Sequence, residues 1–582
     1  MIDQSAFVNV SIFDRNYTEA LFGGVEFPDG SFMIDNVEEF IEHQKVFMEV
    51  VSQIRSENMF TFPVLTYSLL YKDDKFIDEG FARWCSDHNV DWNDSNFFIS
   101  GDVTTLSNCC FDGSQKVEVI VDGEPRVLSL AELYILSESS HNFNYMVKSW
   151  SNDYDMGKII KLPRRKLYKI ELEDGSEIMA TDNHLFPVFE NTDDEFQYTG
   201  DKQVHDLSIY DCLIKHTDSG DILCRITSIE DYKSQDEYVY CFEMENTDKP
   251  YFVLANNIVT HNCRLLSDTS KLNAFINSIG GTALSIGSVK VNTINLQRIA
   301  YEAKGDQELY LKILRKRTKL CCKVLDVVRH IIKRNIEKGL LPNYCDGGVE
   351  MDKQYCTVGI LGLFEVIEYF GLTYTDEFGY VYYTDEGIEF ASKIFEVLND
   401  VKDNFVSSIL NSDGTPVEPY SFNIESVPAE RAAVILCQKD NRLYEKNDKF
   451  IYSNQWVPLS AKCTIQEKLR LSSILDNKCS GGAIAHINLE SNFPNTDTAW
   501  DMLKYIAKSG VIYFAFNTRI NECKNHHGFV CTDICPVCGE PVFDTYQRIV
   551  GYLVPTRSYS KDRFKEFNTR RWYNYASELR DL

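Results

Sequence analysis

Two short stretches of this chain carry cysteine, histidine and asparagine in an order that could break and remake peptide bonds. The first is Cys110-Phe111-Asp112-Gly113 and the second is Val259-Thr260-His261-Asn262-Cys263. A thiol is both a strong nucleophile and a good leaving group once ionised, so it can take an acyl group from a neighbouring carbonyl and pass it on. An asparagine carboxamide can close onto its own carbonyl and cut the chain behind it. An imidazole beside such a carbonyl can hold or donate the proton that either step needs. A second concentration of reactive types comes late, where Cys523, His526, His527, Cys531, Cys535 and Cys538 fall within sixteen residues. The Cys535-x-x-Cys538 pair has the spacing that brings two thiolates to one tetrahedral ion.

Placed in order, the first set resembles the junctions of an intein. The resemblance implies that Cys110 attacks the carbonyl of Cys109 and that Cys263 takes over the acyl group. Asn262 then cyclises, and an S-to-N shift joins Cys109 to Cys263. Thr181-Asp182-Asn183-His184 matches the T-x-x-H block, which assigns Thr181 and His184 to the first junction, and His261 is the penultimate histidine that assists Asn262. One position departs from the pattern: Cys241 stands where many inteins carry Asp. Between the ends, Lys116–Val121, Leu167–Leu172 and Tyr238–Met244 alternate as strands do, with Asp122-Gly123 and Asp174-Gly175 as turn signals. The insert 110–262 has 153 residues. From His184 to Val239 there is no room for a homing endonuclease, so a mini-intein with an all-β (Hint) horseshoe is implied.

Composition bounds what the rest can be. The chain has 582 residues, and 429 remain once the insert is set aside, ample for a large core. The net charge of −28 argues against direct nucleic-acid binding, which depends on basic surface. The start, Met1-Ile2-Asp3-Gln4, is not a signal-peptide n-region, and no apolar run reaches membrane-spanning length. With 18 cysteines in so long a chain, a reducing cytoplasm is expected, where thiols serve metals or catalysis.

The flanks resemble the glycyl-radical catalytic subunit of anaerobic (class III) ribonucleoside-triphosphate reductases. The motifs that carry this are Cys263-Arg264-Leu265 after the second junction, Asn292-Thr293-Ile294-Asn295-Leu296, the Cys535-Pro536-Val537-Cys538 pair and Arg548-Ile549-Val550-Gly551-Tyr552-Leu553. The resemblance implies that Gly551 stores a radical, because a glycine α-carbon radical stays planar between its two amides. It implies that Cys263 becomes the reactive thiyl cysteine, that ribonucleoside triphosphates are the substrates and that formate is the reductant. It also implies a zinc ion held by Cys523, Cys535 and Cys538, with His526 completing a C-x-x-H and Cys531 as the rival ligand. The Gly481-Gly482-x-x-x-His486 stretch could approach substrate phosphates, although a buried strand bend explains it equally well. Cys356 and the Cys321-Cys322 pair read as core.

These chemistries need an α/β frame. Ala6–Phe13 reads as a strand, Val37–Ile54 as an amphipathic helix and Phe60–Tyr71 as a strand region broken by Pro63. Leu296–Lys338, Gly359–Phe370 and Gly387–Asn399 read as helices. The family's version is a ten-stranded α/β barrel, here divided as 1–109, 110–262 (the insert), 263–510, and 511–582 for the zinc and glycyl-radical region. In the family the part before the reactive cysteine is longer. The expectation is therefore a separately encoded N-terminal half as partner, with truncation as the alternative. A separate radical-SAM iron–sulfur activase and a homodimer of the assembled enzyme are also expected. A split gene with a mini-intein suggests a phage protein in a host cytoplasm. Two other readings stay open: a pyruvate formate-lyase-like enzyme, and a non-enzymatic remnant carrying a live splicing element.

Overall fold

The computed structural model describes residues 9–101, 110–139, 143–151, 153–192, 195–217, 219–244, 251–262, 287–347, 349, 351, 354–411, 414–417, 421–427, 430–444, 449–548, 551–575 and 578. Cys109 and Cys263 lie outside them. The chain divides into two compact units, one of residues 1–14, 42–101 and 269–582, the other of residues 15–41 and 102–268. No helix among the described residues is long and apolar enough to cross a membrane.

The first unit is mixed α/β. Its main sheet runs Asn9–Phe13, Val64–Lys72, Asn96–Ser100, Tyr513–Asn517, Ala485–Asn488. The first three strands are mutually parallel, the last two are parallel, and the two groups meet antiparallel. Three further strands, Gly287–Asn295, Gln354–Leu361 and Phe422–Ser426, form a separate parallel sheet. The strands Val64–Lys72 and Gln354–Leu361 are buried over most of their length on both faces, as parallel strands covered on both sides are. The helices Gln307–Glu337 and Asp385–Asp403 pack on the three-stranded sheet around Leu314, Leu325, Phe390 and Ile394.

One helix expectation is corrected. Gly359–Phe370 begins inside the strand Gln354–Leu361, and only Leu363–Tyr369 is helical. Gly362 separates the two with φ +86°, a left-handed turn that Gly adopts without strain. A run buried on every side has no polar face, so its period could not discriminate strand from helix. Cys356 is accordingly buried in a strand, while Cys321 and Cys322 lie buried in a helix.

The second unit is built on a 12-stranded antiparallel sheet whose neighbouring strands are often far apart in sequence. The expected strands Lys116–Val121, Leu167–Leu172 and Tyr238–Met244 all form. Asp122-Gly123 closes a two-residue hairpin with both φ angles positive, the geometry whose twist matches the strands it joins. The largest hydrophobic cluster described in this unit is drawn from residues 110–258.

Candidate functional site

The first junction lies in the middle of the 12-stranded sheet. The strand Phe111–Asp112 is held between Glu177–Thr181 and Tyr238–Met244, with Phe111 paired to Ala180 on one side and Tyr240 on the other. That pairing carries Cys110 into a fully buried position. Its backbone N–H donates to Thr181 Oγ1 at 2.9 Å, and Thr181 returns its own N–H to the Cys110 carbonyl at 2.9 Å. The nitrogen of the Cys109–Cys110 amide is thus held by the hydroxyl that the motif singled out. The His184 ring packs on Phe111 with centroids 4.1 Å apart. Cys241 is buried in the neighbouring strand, next to Tyr240.

The second junction leaves the same unit from the hairpin Tyr251–Val253 and Val259–His261. His261 Nδ1 lies 2.8 Å from the carbonyl oxygen of Asn262. As an N–H donor there, it would stabilise the oxyanion formed when the Asn262 side chain attacks that carbonyl. Tyr251 packs edge-on against the His261 ring at 4.9 Å, and Asp201 lies 3.9 Å from Nε2. The two junctions are tied by a residue that sequence reasoning passed over: Thr260 Oγ1 is 2.6 Å from His184 Nε2. Thr260 belongs to the second junction's strand and His184 to the first junction's block. No sequence pattern marks a contact 76 residues apart.

In the first unit, Cys523, His527, Cys535 and Cys538 present ligand atoms all within 4.8 Å of one another. Cys523 and Cys538 sulfurs are 3.7 Å apart, and His527 Nδ1 is 3.4–3.6 Å from the three sulfurs. These are the edges of a tetrahedron around an ion with metal–sulfur bonds of about 2.3 Å, so the donor set fits zinc. The Cys538 thiol is drawn down to about 6 by hydrogen bonds from the Glu540 backbone and the Asn525 side chain, which favours the ligating thiolate.

The structure replaces His526 with His527. His526 takes φ +67° at the turn, and its exposed ring bonds Glu522 Oε1 at 2.7 Å. Cys531 is likewise not gathered in; it is exposed, with its own positive φ of 58°. Spacing alone could not choose between adjacent histidines, because the turn's backbone decides which ring faces the cysteines.

Strand Val542–Arg548 leads from this cluster towards Gly551, which is buried. Asn96 Nδ2 donates to the Gly551 carbonyl at 3.1 Å and to the Tyr513 hydroxyl at 2.8 Å. The buried Arg548 donates to the Asn93 carbonyl and to Asn517 Oδ1, at 2.8 and 2.9 Å. Asn517 in turn donates to His486 Nδ1 at 3.0 Å. Burial, with Arg548, Arg570 and Lys468 nearby, pushes His486 well below its ordinary pKa, so it is neutral. Through Asn517, His486 is joined to Arg548, the last residue of the strand Val542–Arg548. Gly481 and Gly482 do something else. The Gly481 N–H donates to the Ile424 carbonyl at 2.5 Å, the Gly482 carbonyl accepts from Ser426, and a Cβ at Gly481 would come within 2.8 Å of Ile424. Their backbone makes a bend against the strand Phe422–Ser426.

Comparison with known proteins adds to this geometry. The family model described as anaerobic ribonucleoside-triphosphate reductase matches residues 220–573. A solved anaerobic ribonucleotide reductase is 33% identical, with 98% of this chain and 64% of that chain covered at TM-score 0.64. The Thermotoga maritima anaerobic ribonucleotide reductase, solved in complex with dATP and CTP, is 32% identical over 97% of this chain and 65% of its own, at TM-score 0.62. The chain thus spans less than two thirds of the length of these reductases. The DNA polymerase II large subunit of Pyrococcus abyssi is 30% identical over 189 residues, 26% of this chain and 13% of that protein. An intein from a hyperthermophile aligns with 26% of this chain and 99% of its own, at 22% identity and TM-score 0.23. The reductase match assigns the α/β frame to the barrel-type fold of those structures and sets aside the pyruvate formate-lyase-like alternative.

Proposed function

We propose that this chain, which belongs to the anaerobic ribonucleoside-triphosphate reductase family, excises residues 110–262 from itself and that its joined flanks then serve ribonucleoside-triphosphate reduction. What supports the excision is the contact path Cys110–Thr181–His184–Thr260–His261–Asn262, a run of hydrogen bonds and chain neighbours between two buried residues. The Cys110 thiol attacks the carbonyl of Cys109, the amide bond opens to a thioester, and the Cys110 nitrogen takes the proton. Thr181 holds that nitrogen, and His184 is the imidazole at hand to protonate it. The thiol of Cys263 displaces Cys110 from the thioester. The Asn262 carboxamide nitrogen then attacks its own carbonyl, with His261 Nδ1 at the developing oxyanion, and the peptide bond to Cys263 breaks. The freed amine of Cys263 takes the acyl group from its own sulfur, which leaves Cys109 joined to Cys263.

For the joined flanks, Gly551 is the proposed radical position and Cys263 the cysteine that works on substrate. The residues of this chain bury Gly551 and hold its carbonyl through Asn96. Cys523, His527, Cys535 and Cys538 would hold a zinc ion, whose contribution is to brace the strand leading to Gly551. His486, neutral and buried beside Asn517, is the substrate-side candidate, whereas the bend at Gly481 and Gly482 shapes the wall beside it. Formate as reductant, a radical-SAM activase, a separately supplied N-terminal portion and a homodimer complete the proposal.

Intact mass of the full chain made in a reducing cytoplasm tests the first half. Products of 429 and 153 residues, absent from a Cys110→Ala/Asn262→Ala control, are expected. A single uncut chain refutes self-excision. For the second half, anaerobic activation with the activase and the N-terminal portion should give a glycine-centred radical signal and deoxyribonucleotide product. Both should be lost in Gly551→Ala. No signal from the spliced wild-type protein would favour the remnant reading.

A further inference from the structure

The Thr181-Asp182-Asn183-His184 block contains a carboxylate that the splicing steps leave unused. Asp182 is fully buried, and Arg165 grips it with both arms of its guanidinium: Nε to Oδ1 at 2.5 Å and Nη2 to Oδ2 at 3.0 Å. Arg165 is itself buried, and removing two such charges from water is costly unless their remaining hydrogen-bonding capacity is met. Part of it is met from outside the insert. Nη2 also donates to the carbonyl of Glu19, at 3.1 Å, in the helix Arg15–Phe22 of the N-terminal flank.

The residues just after that helix are fitted to the arginine. A Cβ on Gly23 would come within 2.7 Å of Arg165 Nη2, and one on Gly24 within 2.8 Å of its Cγ. The neighbours of Arg165 reach the same flank segment: Lys166 pairs with Asp35 at 2.6 Å and Arg164 with Glu26 at 3.8 Å. Three consecutive basic residues of the insert thus meet three points on residues 15–41, and this segment belongs to the insert's compact unit rather than to that of residues 1–14, 42–101 and 269–582.

We propose that residues 15–41 are a host-side clamp on the splicing centre. Through Arg165 they hold Asp182, and through Asp182 they position Thr181 beside it, whose hydroxyl holds the first scissile amide. Arg165 is a positioning residue, and its partner surface is this chain's own flank. The first junction is then activated fully only when the flank has folded onto the insert. The proposal rests on the splicing reading above and deepens it.

The test uses the full chain and reads the two junctions separately. Thiol-induced cleavage before Cys110 reports the first, and Asn262-dependent cleavage in a Cys110→Ala background reports the second. The variants are Arg165→Ala and Gly24→Ala. Gly24 has no positive φ, so alanine fits its backbone and perturbs only the contact with Arg165. Both variants should slow first-junction cleavage tenfold or more and leave the second within twofold. The double variant should be no slower than Arg165→Ala alone, because both act through one guanidinium. An unchanged first-junction rate in Gly24→Ala overturns the clamp. Parallel loss of both cleavages also overturns it, since that is damage to the insert's fold. If the unsubstituted chain cleaves at neither junction, the splicing reading itself fails, a result distinct from either.

Discussion

Thr260→Val isolates the contact that joins the two junctions. Valine keeps the shape and the β-branching that suit the strand Val259–His261, and it removes only the hydroxyl 2.6 Å from His184 Nε2. Both residues are fully buried, so no water replaces the lost partner. A hydrogen bond removed from a buried group costs about 1–3 kcal/mol. If that cost falls on the imidazole that serves the first junction, the rate drops by roughly 5- to 150-fold, at a factor of ten per 1.4 kcal/mol. The assay is thiol-induced cleavage before Cys110, followed by mass spectrometry, with thermal unfolding recorded alongside to confirm an intact insert. Thr260→Ser, which keeps the hydroxyl, should stay within about threefold of the parent chain. If Thr260→Val cleaves as fast as Thr260→Ser, His184 does not depend on the second junction's strand, and the single-centre argument is wrong.

Other outcomes follow from the same geometry. His527→Ala should lower zinc content measured by plasma mass spectrometry, whereas His526→Ala and Cys531→Ser should leave it unchanged, because only His527 stands among the three sulfurs. Asp201→Asn should slow Asn262 cyclisation severalfold and spare the first junction, since the Asp201 carboxylate lies 3.9 Å from His261 Nε2 and accepts from the hydroxyl of Tyr251, whose ring packs on His261. His486 is held neutral by burial and by the nearby cations, so its folded pKa lies below its unfolded value of about 6.5. The unfolded chain then binds the extra proton first. This contribution to stability is complete above about pH 6.5 and is lost as pH falls below it, with a slope of at most about 1.4 kcal/mol per pH unit. Denaturant midpoints compared at pH 7.5 and 5.5 should show that loss, and it should be smaller in His486→Gln.

The roles open to single residues were legible without coordinates, because they depend on side-chain chemistry and short spacing. Cys110, His184, His261 and Asn262 declare themselves by type and order. The hairpin at Asp122-Gly123 declares itself by a turn that few other pairs can make. Lys116–Val121 alternates clearly because one of its faces meets the core and the other is more exposed.

Where that asymmetry is absent, sequence was blind. Gln354–Leu361 is buried all round, and it looked helical only because it runs into a helix at Gly362. His526 and His527 are chemically equal and adjacent; the left-handed backbone at His526 turns one ring to Glu522 and leaves the other to the sulfurs. Thr260 beside His184 and Arg165 between Asp182 and Glu19 are contacts across 76 and 146 residues. Local pattern determined which atoms could react, while the folded sheet decided which of them meet, because only tertiary packing makes neighbours of residues that the chain holds far apart.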